Sequence, residues 1–424
     1  MIKNNKELGK IKRELWEKAH DALTVKYGDM PDIRILNRFY SEKMAFENSD
    51  AIILWNLAGE IMRSAPAGYS MPKVTGTTGS CFTAYLLGAA SDNPLPIHYH
   101  CRECGSTEFV DINNALPFDL SNKTCFCGGV MRPDGFDIPY EINLGDAHTP
   151  HICFSVPKNF LEEAKHLIFE QMKAYYRVRE LGNETDYTRF VLLPHEGKDL
   201  FKENVNFVND KYNGFPTVTV VSFLGVDKAK RLIEETGEDL FVFSATENYL
   251  SYERIVEKIA SGDIAGIPIL DLQIEGFASM KDALKLAKPK NTYEILKVYD
   301  ALHGSGTWTE NAENLISSGI DIDDIPTSRD DIFMLLRNKL YETGHTYTGI
   351  AYELTNKIRW GKLDADSRTL LEYLDLPEWF IPYAEKIQYM FPKAHSVQNL
   401  RTALTFMWYK IKYPCAFDKA VKRC

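Results

Sequence analysis

No apolar run in the sequence reaches the roughly 18 residues that a membrane-crossing helix needs. Its first residues, Met1 to Arg13, are polar and lysine-rich, without the apolar stretch of a signal peptide, so a cytoplasmic protein with no membrane partner is expected. Positive charge is also in deficit: 49 Lys and Arg stand against 59 Asp and Glu, a net charge of -10. Proteins that grip DNA draw most of their affinity from phosphate neutralisation by a basic surface, so the overall balance argues against strong DNA binding. Internal repeats, low-complexity tracts and flexible linkers are absent. No Gly-Lys-Ser/Thr follows the glycine run near residue 76, which excludes a P-loop.

What is present is ample apolar material: 424 residues, 45% hydrophobic and 12% aromatic, enough for two or three domains. Leu8, Ile11, Leu15, Ala19 and Leu23 share one helical face, so Lys6 to Tyr27 reads as a helix, and Met44 to Arg63 as a second. Asn93-Pro-Leu-Pro96 breaks regular structure. Asp137 to Phe154 reads as short strand pieces, Phe160 to Leu181 as a helix, Pro216 to Leu224 as a buried strand and Lys228 to Thr236 as a helix. Beyond about residue 230 the pattern is nearly all helix, which places a domain boundary there and divides the chain into 1–230 and 231–424. From Lys386 onward eight Lys or Arg face one acid, Asp418. This stretch is either a DNA-contacting surface or a solvated basic helix face.

Four of the eight cysteines form a pair of pairs, Cys101-x-x-Cys104 and Cys125-x-Cys127. A second pair within zinc-ribbon distance of a CxxC completes the tetrahedron that zinc prefers, so a closed structural zinc site over about 98–132 is expected. The second pair is one residue short of the usual spacing, and a decayed ribbon with four reduced thiols is the competing reading. His98 and His100 are substitute ligands or surface histidines. Gly76-Thr-Thr-Gly-Ser80 either offers backbone amides to a phosphate at a helix start or is a plain turn.

Several segments in order carry a resemblance: the glycine run with Gly76, Gly79 and Ser80; Asn93-Pro-Leu-Pro-Ile-His-Tyr99; Pro117-Phe-Asp-Leu120; Asn122-Lys-Thr-Cys125; and Asp134-Gly-Phe-Asp-Ile-Pro-Tyr-Glu141. Later come Lys288-Pro-Lys290, Leu302-His-Gly304, Asn311-Ala312, Ser328-Arg-Asp-Asp-Ile332, Leu376-Pro-Glu-Trp379 and Lys386-Ile-Gln-Tyr-Met-Phe-Pro-Lys-Ala-His395. Together they resemble the palm and fingers of the PolC-type alpha subunit of bacterial DNA polymerase III, as a truncated and degenerate relative. The resemblance implies an α+β, helix-rich fold: a nucleotidyltransferase palm with a zinc-ribbon-like insertion, then an all-helical fingers domain. It implies nucleotide or DNA contacts at Gly76, Gly79, Ser80, His303, Gly304, Lys393 and His395.

The family's catalytic aspartates are replaced. Pro150-His151-Ile152-Cys153 stands where the family has Pro-Asp-Ile-Asp, and Val220-Val-Ser-Phe-Leu-Gly225 puts Ser222 at the third position. Thr75 replaces an arginine. His, Cys and Ser are poor ligands for magnesium, which takes hard oxygens, so magnesium is not expected to bind in the family manner. Asp146, Asp227 and Asp271 are the acids that would have to rebuild such a site. The expected function is therefore an inactive, binding or regulatory module linked to DNA replication, with DNA or a replisome protein as partner. The alternative is an active polymerase with relocated ligands or a site completed by another chain.

Overall fold

The computed structural model describes residues 5–64, 73–147, 150–156, 158–184, 187–193, 215–222, 224–238, 252–271, 278–344 and 348–422. Three helices open the chain: α1 (Asn5–Tyr27), α2 (Ile33–Phe46) and α3 (Ala51–Ser64). The single helix expected over Met44 to Arg63 is thus two. The Ser49 hydroxyl accepts the Ala51 amide at 2.9 Å and so starts α3 afresh. Next come β1 (Lys73–Thr75), a 3-10 turn at Gly76–Ser80 and the short α4 (Phe82–Leu86).

β2 (His98–Cys101), β3 (Thr107–Phe109), β4 (Lys123–Thr124) and β5 (Val130–Asp134) form a small antiparallel sheet in the order β3-β2-β5-β4. Of the strand pieces expected between 137 and 154, residues Tyr140–Ala147 form a 3-10 helix instead. The chain then enters β6 (His151–Val156), α5 (Leu161–Met172), β7 (Arg177–Glu184), β8 (Tyr187–Leu193) and β9 (Thr217–Ser222). The helix expected to reach Leu181 stops at Met172. From Arg177 the chain pairs with β8, because Val178 alternates with Arg177 and Arg179 at strand spacing.

The main sheet runs β1-β6-β9-β8-β7. Among the described strands only β6 and β9 are parallel; Ile152, Phe154 and Val156 pair with Val218, Val220 and Ser222. Ile152, Phe154, Val156, Val218 and Val220 are buried in one core with α1, α3 and α5.

The remaining described chain is helical: α6 (Leu224–Thr236), α7 (Tyr252–Ala260), α8 (Met280–Ala287), α9 (Thr292–His303), α10 (Glu313–Ser317), α11 (Arg329–Glu342), α12 (Thr348–Arg359), α13 (Ala365–Tyr373), α14 (Phe380–Lys386), α15 (Lys393–Lys412) and α16 (Pro414–Lys422). A helix-rich α+β architecture results. A second core gathers these helices and also takes Leu116, Phe118, Phe136, Ile138 and Ile142 from the stretches flanking the small sheet. At its centre lies α15, with 14 of its 20 residues buried. A helix covered on nearly all sides is an interior helix. Among the described residues no helix is long and apolar enough to cross a membrane.

Candidate metal centre and main-sheet surface

The four cysteines converge although they come from two turns. Cys101 ends β2 and Cys104 follows in the turn; Cys125 and Cys127 lie in the turn between β4 and β5. Cys101 and Cys127 bring their Sγ atoms to 3.6 Å, Cys104 and Cys125 to 3.5 Å, and all four Sγ lie within 4.8 Å of one another. Four thiolates about 2.3 Å from a tetrahedral zinc would stand about 3.8 Å apart, so the donor set and spacing fit that ion. The shortened second pair works because Gly128, at φ +90°, turns the chain so that its amide reaches the Cys125 carbonyl at 2.9 Å. Gly105 does the same for the first pair at φ +75°. The Gly129 amide donates to Cys127 Sγ at 3.4 Å. Hydrogen bonds from Ser106 pull the Cys104 thiol down to about 6, while Cys127, against the pull of the Gly129 amide, is pushed up to about 12 by hydrogen bonds with the neighbouring thiols.

His98 and His100 are not surface residues, correcting that reading. Both are buried, and both rings pack against Tyr27 of α1. His98 Nδ1 meets the Pro96 carbonyl at 2.7 Å. They fasten the small sheet to the first helix.

On the main sheet His151 and Cys153 share the face opposite the core, two residues apart on β6. Their register partners on β9 are Thr217 and Thr219. Ser222 stands level with Val156, three pairs further along, and its side chain is outside the described set. His151 Nδ1 lies 2.5 Å from Thr217 Oγ1. Burial, and then Arg189, pushes its imidazole down to about 4, so it is neutral at pH 7. The paired strands His-Ile-Cys-Phe-Ser-Val and Thr-Val-Thr-Val-Val-Ser contain no acid, and β1 and β8 contain none either. This donor set of imidazole, thiol and hydroxyls does not fit a hard divalent cation. Asp271 lies away in the helical half, where its carboxylate accepts the Gly266 amide at 2.6 Å. The side chains of Asp146 and Asp227 fall outside the described residues.

The glycine run is a closed 3-10 turn. A Cβ on Gly79 would meet Ala394 Cβ at 3.0 Å, and Gln398 Nε2 donates to the Val74 carbonyl at 2.6 Å, so the run is sealed by α15. Ser80 is buried, its hydroxyl spent on the Thr77 carbonyl at 2.7 Å. The amides that begin α4 are also occupied. Phe82 and Thr83 donate to the Glu42 carboxylate at 2.7 and 2.8 Å, and Thr83 Oγ1 adds a third bond at 2.9 Å. Glu42 takes the place that an anion would fill; nothing in the sequence near the run marks it, because it comes from α2, forty residues away.

Lys393 and His395 open α15. The Lys393 amide donates to Asp330 at 2.8 Å and its ammonium to the Asp137 carbonyl at 3.3 Å. His395 and His303 stack with their Nε2 atoms 3.2 Å apart, against Phe391 and Tyr299. Burial holds His303 down to about 4. A Cβ on Gly304 would press on the Tyr389 carbonyl at 2.8 Å, so this glycine lets the two segments touch. The basic stretch after Lys386 is largely engaged within the chain. Arg401 pairs with Asp92, Lys410 with Asp263, Lys412 with Glu238 and Lys419 with Glu235. Arg423 lies outside the described residues.

No protein-family profile matches the chain. Among curated proteins it is similar to DNA polymerase III PolC-type of Thermotoga petrophila, 25% identical over 468 residues that cover 93% of this chain and 33% of the relative. The corresponding protein of Lactococcus lactis subsp. lactis is 26% identical, covering 96% of this chain and 29% of the relative. That of Lacticaseibacillus paracasei is 25% identical, covering 97% and 32%. The chain therefore spans about a third of the length of the curated relatives it matches.

Proposed function

Since the chain is a relative of the PolC-type DNA polymerase III proteins, we propose that it has kept their palm and fingers as a scaffold and lost nucleotidyl transfer, acting as a binding or regulatory module in DNA replication. One observation carries this reading: the parallel strands β6 and β9 hold no carboxylate, and His151, Cys153, Thr217 and Thr219 occupy the shared face. Phosphoryl transfer by two magnesium ions needs acidic oxygens to hold both cations. In this reading residues 1–230 are the palm-like part and 231–424 the fingers-like part. The cysteine cluster holds a structural zinc, since four protein ligands leave no open position for chemistry.

Residual contact with nucleotide or DNA is assigned to His303, Gly304, Lys393 and His395, beside the run Gly76, Gly79 and Ser80. That contact is weak, because Ser80 is buried and several C-terminal cations are already paired within the chain. The partner is DNA or a replisome protein.

Primer extension tests the proposal. Purified protein, given a primed template, deoxynucleotides and magnesium or manganese, should incorporate no more than a mock purification. Robust metal-dependent incorporation would overturn it. Capture of the tagged protein from replicating cells should enrich a replication protein or DNA over an unrelated tagged control; failure to enrich either removes the binding role.

A further inference from the structure

A cleft of about 130 Å³ lies between the small cysteine-bearing sheet, the end of α1, the turn after α4 and the middle of α15. Lys26, Arg102, Arg132 and Arg401 all line it, and Asp134 is the one carboxylate among the lining residues. Asp92, just behind the wall, pairs with Arg401 at 2.5 Å. Four cations therefore line one cleft, in a chain whose net charge is -10. Charges of one sign in a narrow cleft repel, and low-dielectric walls strengthen that repulsion. An anion bound among them relieves that repulsion.

The cations are also held in place. Arg132 stands directly across from His100 on the neighbouring strand. The Arg401 guanidinium lies over the rings of Phe118 and Phe136 at 5.2 and 5.6 Å, with its Nε on Asp92 at 2.7 Å. Lys26 Nζ sits 4.8 Å from the Tyr85 ring centre. Asp134 is engaged: it accepts Asn93 Nδ2 and the Gly135 amide, both at 2.8 Å, and the Tyr85 hydroxyl at 3.4 Å. Arginine forks suit tetrahedral oxyanions, which they grip in pairs.

We propose that this cleft is a binding site for a small diphosphate-bearing anion, gripped by Lys26, Arg102 and Arg132 with Arg401 at its floor. Inorganic pyrophosphate carries two phosphoryl groups, enough oxygens for the four cations, and is the probe of that class. The site lies at the junction of the cysteine-bearing sheet with α15, apart from His151 and Cys153, and it does not depend on the polymerase kinship.

Titration calorimetry on the full chain, with ionic strength matched, tests the site. Pyrophosphate should bind saturably at one site, at least about tenfold more tightly than sulfate. Lys26→Gln and Arg132→Gln should each weaken it about tenfold or more. A parallel titration with deoxycytidine diphosphate distinguishes the source of the group. Tighter binding than pyrophosphate assigns it to a nucleotide whose nucleoside lies in the mouth; weaker binding assigns it to the free anion. The proposal fails if no saturation is seen up to roughly 10 mM, if sulfate binds equally well, or if both variants bind as the wild type does. Should the variants misfold, phenylglyoxal labelling of the unaltered chain probes the same cleft. Pyrophosphate should slow modification of Arg102 and Arg132, and unchanged rates count against the site.

Discussion

Glu42 is fully buried, and its carboxylate collects the Phe82 and Thr83 amides, the Thr83 hydroxyl and the Arg38 guanidinium. Removing the acid strands a guanidinium and two amides out of water. Glu42→Ala is therefore expected to lower stability by about 3–5 kcal/mol, read as a shift of the urea midpoint; Glu42→Gln should lose less. Gly306 makes a different demand. It sits at φ +71°, and a Cβ there would fall 2.1 Å from the Lys386 carbonyl. Gly306→Ala should cost about 1–3 kcal/mol by the same assay. His151 and His303 set a pH dependence. Burial lowers both to about 4, below the value of about 6.5 expected when unfolded, so the unfolded chain binds more protons between these limits. Stability is full above pH 6.5 and falls as pH drops toward 4. The urea midpoint should decline over that window, and His303→Asn should flatten the decline. At this scale the cysteines were legible because two short spacings bring four thiols together. Glu42 was not, since its role exists only once α2 and α4 are packed.

Among the elements, the cysteine-bearing sheet has almost no core of its own: Cys101, Cys125 and Met131, with Tyr99 against them. In the proposed zinc reading, a bound ion adds to what this small cluster and the packing of His98 and His100 on Tyr27 supply. The purified chain should carry about one zinc per molecule by elemental analysis. Cys104→Ser with Cys127→Ser should abolish it and open residues 98–134 to protease while leaving most helical circular dichroism intact. A chain that is metal-free yet equally protease-resistant would refute this account. Sequence periodicity found α1 and the buried strand near Val218 and Val220. It failed where short polar breaks decide the outcome. Ser49 and Asp50 divide what reads as one helix, and β7 is a strand because β8 pairs with it, which local pattern does not encode.

Among the described residues the two large cores are not two consecutive lengths of chain. The second includes Phe118, Phe136 and Ile138 from the first third of the sequence, while α15 reaches back to Val74 and Gly79. Calorimetry should therefore show one cooperative unfolding transition, and two well-separated peaks would contradict that coupling. Distant contacts of this kind leave no local signature, which is why a boundary near residue 230 reads easily from composition while the traffic across it does not. The bond from Gln398 to Val74 joins residues 324 positions apart. At the usual pace of synthesis, the glycine turn waits roughly 15–65 s for the helix that covers it. Until then the surface around Val74 and Gly79 that α15 covers in the folded chain lacks its cover.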